Sequence, residues 1–179
     1  MIPGIVAVLI VLIVVLWAIT VSNRFKVLLV KISEADSGID VALSKRYDTL
    51  TKLMDVVKAY TRHETTLLTQ VVSLRSGMSM AQKSEANRAM DEAANHINLL
   101  AEGYPELRSS ENYKQLQAAI LDAEDHLQAA RRVYNMNVSA FNQAIAVFPG
   151  SVVAGVSRHM PKEFFEADIA KQSDVTIQL

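Results

Sequence analysis

Residues His63-Glu64-Thr65-Thr66-Leu67 open like the zinc-binding segment of a metallopeptidase helix, in which histidines at i and i+4 hold the metal and the glutamate acts as base. Leu67 stands where the second histidine must be, and the spacing excludes that chemistry. A carboxylate-bridged di-iron bundle needs Glu-x-x-His on two helices. The residues three before His63, His96, His126 and His159 are Tyr60, Ala93, Ala123 and Val156, so that centre is excluded too. Glu92 with His96 and Asp122 with His126 are i,i+4 pairs, which form solvated hydrogen bonds more often than metal sites. The chain has no cysteine, no Gly-rich phosphate loop and no G-x-S-x-G elbow. No catalytic residue, metal ligand or cofactor is assigned, and no enzymatic activity is expected.

Two polar groups are more distinctive. Asn135 and Asn142, seven residues apart beside Tyr134, Val138 and Phe141, fall on nearly one side of a helix and predict a polar seam. Such a seam fixes helix register; the alternative is a small-ligand cavity lined by the two amides and Tyr134. Asp40, Arg46, Asp48 and Lys52 lie along an earlier helical stretch, with Asp48 and Lys52 at i,i+4. They can pair with one another or reach Arg131 and Arg132, and a solvated charged face is the expected arrangement.

The elements that position these groups are helical. Six glycines and four prolines are too few for a turn-dense β fold, and after Pro3 the next prolines are Pro105, Pro149 and Pro161. Ile2 to Val21 carries no charge and, as a helix, spans roughly 30 Å, the thickness of a bilayer core. Nothing basic precedes it and Trp17 sits near its far end, which predicts an uncleaved anchor. Arg24, Lys26 and Lys31 follow it, and positive-inside bias then places the N-terminus outside and the rest in the cytoplasm. All charged residues lie beyond Ser22, with 18 Lys and Arg against 19 Asp and Glu, a balance that excludes a free-standing nucleic-acid binder.

From Arg24 to about Leu74, apolar residues recur at three- and four-residue steps, including Ile32, Ile39, Leu43, Leu50, Met54 and Val57. This predicts one long helix, on the order of 75 Å, continuous with the span or bent near Gly38. Part of so long a helix lacks an intramolecular partner, and Leu50 and Val57 are the expected self-association positions. Arg75-Ser76-Gly77-Met78 reads as a turn, and Ser79 with Gln82 as a capping box opening a second helix that ends near Glu102, with Gly103 as left-handed cap. A short loop leads to a third helix from about Ser110, stopped by Phe148-Pro149-Gly150, and a short helix over 151–157 packs back on it. Phe164 and Phe165 dock, and the tail beyond frays. The predicted fold is all-α: an N-terminal transmembrane helix over 1–22, an elongated antiparallel helical bundle with a very long first helix over 23–165, and a tail over 166–179.

The order and spacing of Ile39-Asp40-Val41-Ala42-Leu43, Arg46-Tyr47-Asp48, Lys58-Ala59-Tyr60, His63-Glu64, Ala130-Arg131-Arg132-Val133-Tyr134-Asn135, Phe141-Asn142, Phe148-Pro149 and Phe164-Phe165-Glu166 resemble the LemA family of bacterial membrane-anchored proteins. The resemblance covers essentially the whole chain. Where the family pattern has a Pro and an Asn, this chain has Thr51 and Lys52, which removes an expected helix kink. The resemblance implies a single anchor in the bacterial inner membrane, a cytoplasmic helical bundle and no established enzymatic activity. It also implies genomic neighbourhoods that include membrane metallopeptidases and envelope-stress proteins.

The leading expectation is a non-catalytic, membrane-anchored scaffold that acts by self-association or by binding other envelope proteins. The bilayer and a second copy of the chain are its expected partners, and nucleic acid is not. An adaptor for a membrane protease is the first alternative, with the C-terminal Ile177-Gln178-Leu179 as a segment for strand addition. A small-ligand sensor built on the Asn135 and Asn142 seam is the second.

Overall fold

The computed structural model describes residues 2–60 and 77–165. Among these described residues five helices follow in order: α1 (Ile2–Tyr60), α2 (Met80–Glu102), α3 (Pro105–Ser109), α4 (Glu111–Ala146) and α5 (Gly150–Val156). There is no strand among the described residues. Pro3 falls in the first turn of α1, where its missing N–H is no loss, and nothing interrupts the helix through Gly38 or through Thr51 and Lys52. Thr51 instead donates its hydroxyl to the Tyr47 carbonyl at 2.9 Å. The apolar span and the long helix that the sequence predicts are one element as far as Tyr60, and the rest of the predicted stripe, with Leu67, Val71 and Leu74, lies outside the described residues.

α2 begins as its sequence dictates. The Ser79 hydroxyl accepts from Gln82 N–H at 3.3 Å while the Gln82 side chain accepts from Ser79 N–H at 2.8 Å, closing the capping box. Gly77 supplies the positive φ, +80°, of the turn before it. The end of α2 differs from expectation. Gly103 has φ −78°, not the left-handed conformation, because Gly103 N–H and Tyr104 N–H bond back to Leu100 and Ala101 in tight three-residue steps. These carry the chain directly into α3, whose Pro105 occupies the first turn and whose Leu107 is fully buried. The predicted loop thus contains a helical turn. Ser110 then caps α4, its hydroxyl accepting from Tyr113 N–H at 3.3 Å.

The contacts divide the chain into two compact units, one of residues 1–37 and 132–164, the other of residues 38–131 and 165–179. In the first, Ile32 and Ala35 of α1, Val138, Phe141 and Ile145 of α4 and Ala154 of α5 form the core. Phe25, Phe141 and His159 meet edge to face, with ring centroids 5.4 to 6.4 Å apart. Asn137 reaches Lys31 while Phe141 reaches Phe25, so α4 runs antiparallel to α1 in this unit. The N-terminal part of α1 is long and apolar enough to cross a membrane, and none of its most apolar stretch is buried by the chain itself.

In the second unit, Ile39, Leu43, Leu50, Leu53 and Val57 of α1, Ala86, Met90 and Ile97 of α2 and Ile120, Ala123 and Leu127 of α4 are all buried. Leu50 and Val57 are fully buried there, which corrects the expectation that they form a self-association surface. Periodicity identified the apolar face of the helix, and the same chain buries it.

Candidate functional site

The most unusual side chain of the second unit is Arg46, 3% exposed on α1. A guanidinium with little access to water must find its counter-charges inside the protein. Nη1 donates to Asn87 Oδ1 and Nη2 to Asp91 Oδ1, both on α2, and Glu124 Oε2 on α4 lies 2.8 Å from Nη2. One cation is thereby bracketed by two half-buried carboxylates on two other helices. Arg46 Nε and the Ser84 hydroxyl are buried without a hydrogen-bond partner among the described residues. Beside them runs a groove of about 530 Å³, whose walls include Arg88, Asn95, Asn98, Gln117 and Gln128.

Two further ion pairs bind the same helices. The Lys83 ammonium, itself buried, meets Asp40 at 2.6 Å. Lys45 meets Asp122 at 2.6 Å on the surface. The hydrogen bond from Lys45, and secondly its charge, hold the Asp122 carboxyl below the ordinary carboxylate range; His126, 3.6 Å away, adds a smaller pull. The expectation of a solvated charged face therefore fails at Arg46, which is buried and paired across to α2 and α4, and holds in form for Asp48 and Lys52, which are exposed. Asp40 pairs with α2. Arg131 stacks over the buried Phe165 ring at 4.8 Å, while Arg132 is exposed.

In the first unit the polar residues of α4 act as backbone clamps. Asn142 donates to the Lys162 carbonyl at 2.9 Å and accepts from Lys162 N–H at 2.8 Å. Tyr134 donates its hydroxyl to the Glu163 carbonyl at 3.1 Å, and Asn137 its amide to the Lys31 carbonyl at 3.1 Å. Tyr134 and Asn142 thus hold one segment, 162–163, against α4, and Asn135 sits half-buried on the same helix. These bonds give the seam a structural use. Phe148 and Pro149 form the corner after α4, with Phe148 exposed. Gly150 is required there, since a Cβ would fall 2.4 Å from the Ala144 carbonyl oxygen. His63 and Glu64 lie outside the described residues.

Sequence reasoning missed Asn87, Asp91, Glu124, Lys83 and Asn137. A signal for three of them is present. Asn87, Asp91 and Glu124 each directly follow a buried stripe residue, Ala86, Met90 and Ala123, which puts them at the edge of the apolar face where a long cation can reach. Among the described residues no group of three or more His, Asp or Glu side chains is arranged to hold a metal ion.

Protein LemA of Metamycoplasma hominis is 29% identical over 150 residues, 81% of this chain and 68% of that protein. Magnetosome protein MamQ of Magnetospirillum gryphiswaldense is 25% identical over 80 residues, 45% of this chain and 29% of that protein. Magnetosome protein MamQ 2 of Paramagnetospirillum magneticum gives a match of the same kind over 81 residues, 30% of its length. The matched part of this chain spans less than a third of either MamQ protein. The exposed apolar start of α1, with the LemA relative, suggests a membrane-associated protein. The all-helical fold and the ordered motifs agree with a match to the model of the LemA family over residues 35–179, and the chain belongs to that family.

Proposed function

We propose that this protein is a non-catalytic, membrane-anchored scaffold of the bacterial inner membrane, with its N-terminus outside and its helical bundle in the cytoplasm, acting by self-association and by contact with other envelope proteins. The observation that carries the reading is the contrast between α1 and the remaining chemistry. The first twenty or so residues of α1 present an apolar surface that the chain leaves uncovered, which is what a lipid-facing element requires. Arg46, Lys83, Tyr134 and Asn142 are occupied in holding helices and backbone together.

Anchoring supports the mode of action. Tethering two copies to one surface raises their effective concentration, so that modest lateral contacts suffice for assembly. Val27, Val30 and Val41 stand exposed on α1 and replace Leu50 and Val57 as the contact candidates. The test is capture of one tagged copy by another from native membranes mixed before or after solubilisation. Retention only when both copies shared a membrane is the expected result. Equal recovery of unrelated membrane proteins, or none of the second copy, overturns self-association; protection of an outside N-terminal tag from added protease in right-side-out cells overturns the orientation.

A further inference from the structure

We propose that the corner joining α4 to α5 is a second membrane contact, in which Phe148, Val152 and Val156 lie in the lipid–water interface beside the N-terminal span. The inference rests on the anchored reading above and adds to it a surface that the apolar span does not require. Its starting point is an oddity of packing. The first unit buries Phe25, Phe141 and Ile145, yet leaves Phe148 79% and Val156 83% exposed, with Val147, Val152 and Met160 also in the open. Five large apolar side chains left exposed within residues 147–160 are what a contact surface presents.

The place of this run says what covers it. Val147, Phe148, Pro149 and Gly150 line one cavity, of about 450 Å³, with Trp17, Val21, Arg24 and Phe25. Trp17 is the aromatic residue near the end of the uncharged stretch, and Arg24 is the first charge after it. That is the level at which a spanning helix passes from hydrocarbon to headgroups. The corner therefore sits at the membrane surface by its own packing within the unit.

Orientation agrees. α4 runs antiparallel to α1 here, and α5 turns 90° from α4. For a span near the bilayer normal, α5 then lies along the membrane plane. Val152 and Val156 are i,i+4 on its outer face, while Ala154 is buried on its inner one. A short helix lying flat with its apolar face outward is the geometry of an interfacial element.

Charge selects lipid over a second copy. Residues 140–162 contain no Asp or Glu, while Arg24 lines the corner's cavity and Arg158 follows α5. Two copies of this corner would bring only like charges together, and an anionic leaflet attracts each basic residue near its surface by about 1 kcal/mol.

The chain has no cysteine, so each introduced one is a unique label site. Full-length Val156→Cys, Ile10→Cys and Met136→Cys proteins, each carrying an environment-sensitive fluorophore, are reconstituted into phosphatidylcholine vesicles containing phosphatidylglycerol. Lipids bearing a nitroxide on the upper or on the lower acyl chain, and aqueous iodide, serve as opposed quenchers. Met136 is exposed on α4, roughly 16 Å along the helix from Val147. The expected result is strong lipid quenching at Ile10, several-fold more lipid quenching at Val156 than at Met136, and the reverse order with iodide. Lipid quenching at Ile10 with Val156 behaving like Met136 overturns the corner contact and leaves anchoring intact. Absence of lipid quenching at Ile10 overturns both. A Val156 label shielded from both quenchers means protein covers the corner, and that also overturns the proposal.

Discussion

The side chain of Asn142 grips the backbone of Lys162 from both sides, donating to its carbonyl at 2.9 Å and accepting from its N–H at 2.8 Å. An amide presents one donor and one acceptor side by side, as a peptide unit does, and Asn142 therefore does for the segment after α5 what a neighbouring strand would do. Replacing Asn142 with Ala removes both bonds and is expected to lower stability by about 1–3 kcal/mol. Asn142→Asp keeps the acceptor but sets a second oxygen against the Lys162 carbonyl, and is expected to be at least as damaging. Denaturant titration of the detergent-solubilised protein checks the order; wild-type stability in both variants would contradict the clamp.

Arg46 joins α1 to α2 and α4 through Asn87, Asp91 and Glu124. Arg46→Met leaves two carboxylates, about four-fifths shielded, facing each other without their cation. A loss of about 3 kcal/mol is expected, the lower end for a broken buried pair because both carboxylates retain some solvent. Adding Asp91→Asn and Glu124→Gln to that variant is expected to recover part of the loss. A triple variant less stable than Arg46→Met alone would show that the carboxylates hold other, more important partners.

Leu50 and Val57 have no exposed surface. Either residue changed to Asp is expected to unfold the second unit, at a cost of about 4 kcal/mol or more for an unpaired charge in an apolar interior. Circular dichroism separates this from a purely associative effect. Retained helicity and melting with altered mass would mean that these side chains leave the core to meet another copy.

Lys45 holds the Asp122 carboxyl below the ordinary carboxylate range. A carboxylate whose folded pKa is depressed stabilises the fold above its unfolded value, about 3.9 for Asp, and that contribution fades as pH falls through the lower folded value. Because the pair is exposed, Asp122→Asn is expected to leave stability near neutral pH almost unchanged. The direct check is a carboxyl NMR titration: in Lys45→Ala the Asp122 midpoint is expected to rise. An unmoved midpoint would remove Lys45 as the cause.

Gly150 abuts the Ala144 carbonyl so closely that a Cβ would stand 2.4 Å from its oxygen. Gly150→Ala must push α5 away from α4, with an expected loss of about 1–3 kcal/mol as for other overpacked sites. Gly155→Ala, which has open space around its Cβ, is the matched control. Equal stability of the two variants would contradict the close approach.

The sequence was most legible where a local rule decides the backbone. The start of α2 follows from Ser79 and Gln82, and the stop of α4 from Phe148-Pro149-Gly150. It was least legible where the deciding partner lies elsewhere. The stripe through Leu50 and Val57 announces a buried face but says nothing of whether another copy or α2 and α4 bury it. Arg46 looks like one more member of a charged face until Asp91 and Glu124 close on it from two helices far away in the chain. Gly103 carried the composition of a left-handed cap, but Pro105 could start α3 at once, and a right-handed turn joins the two helices instead. The sequence places Asn142 in a polar seam, and only the fold brings Lys162 against it.

A membrane-tethered bundle that works through association holds several copies together in one bilayer. Mass photometry of the full-length protein in nanodiscs, across a range of protein-to-lipid ratios, tests it most directly. Particles holding several copies are expected, persisting at low occupancy and weakened by polar substitution of Val27 and Val30. Particles of one copy at every ratio, unchanged by those substitutions, would contradict it.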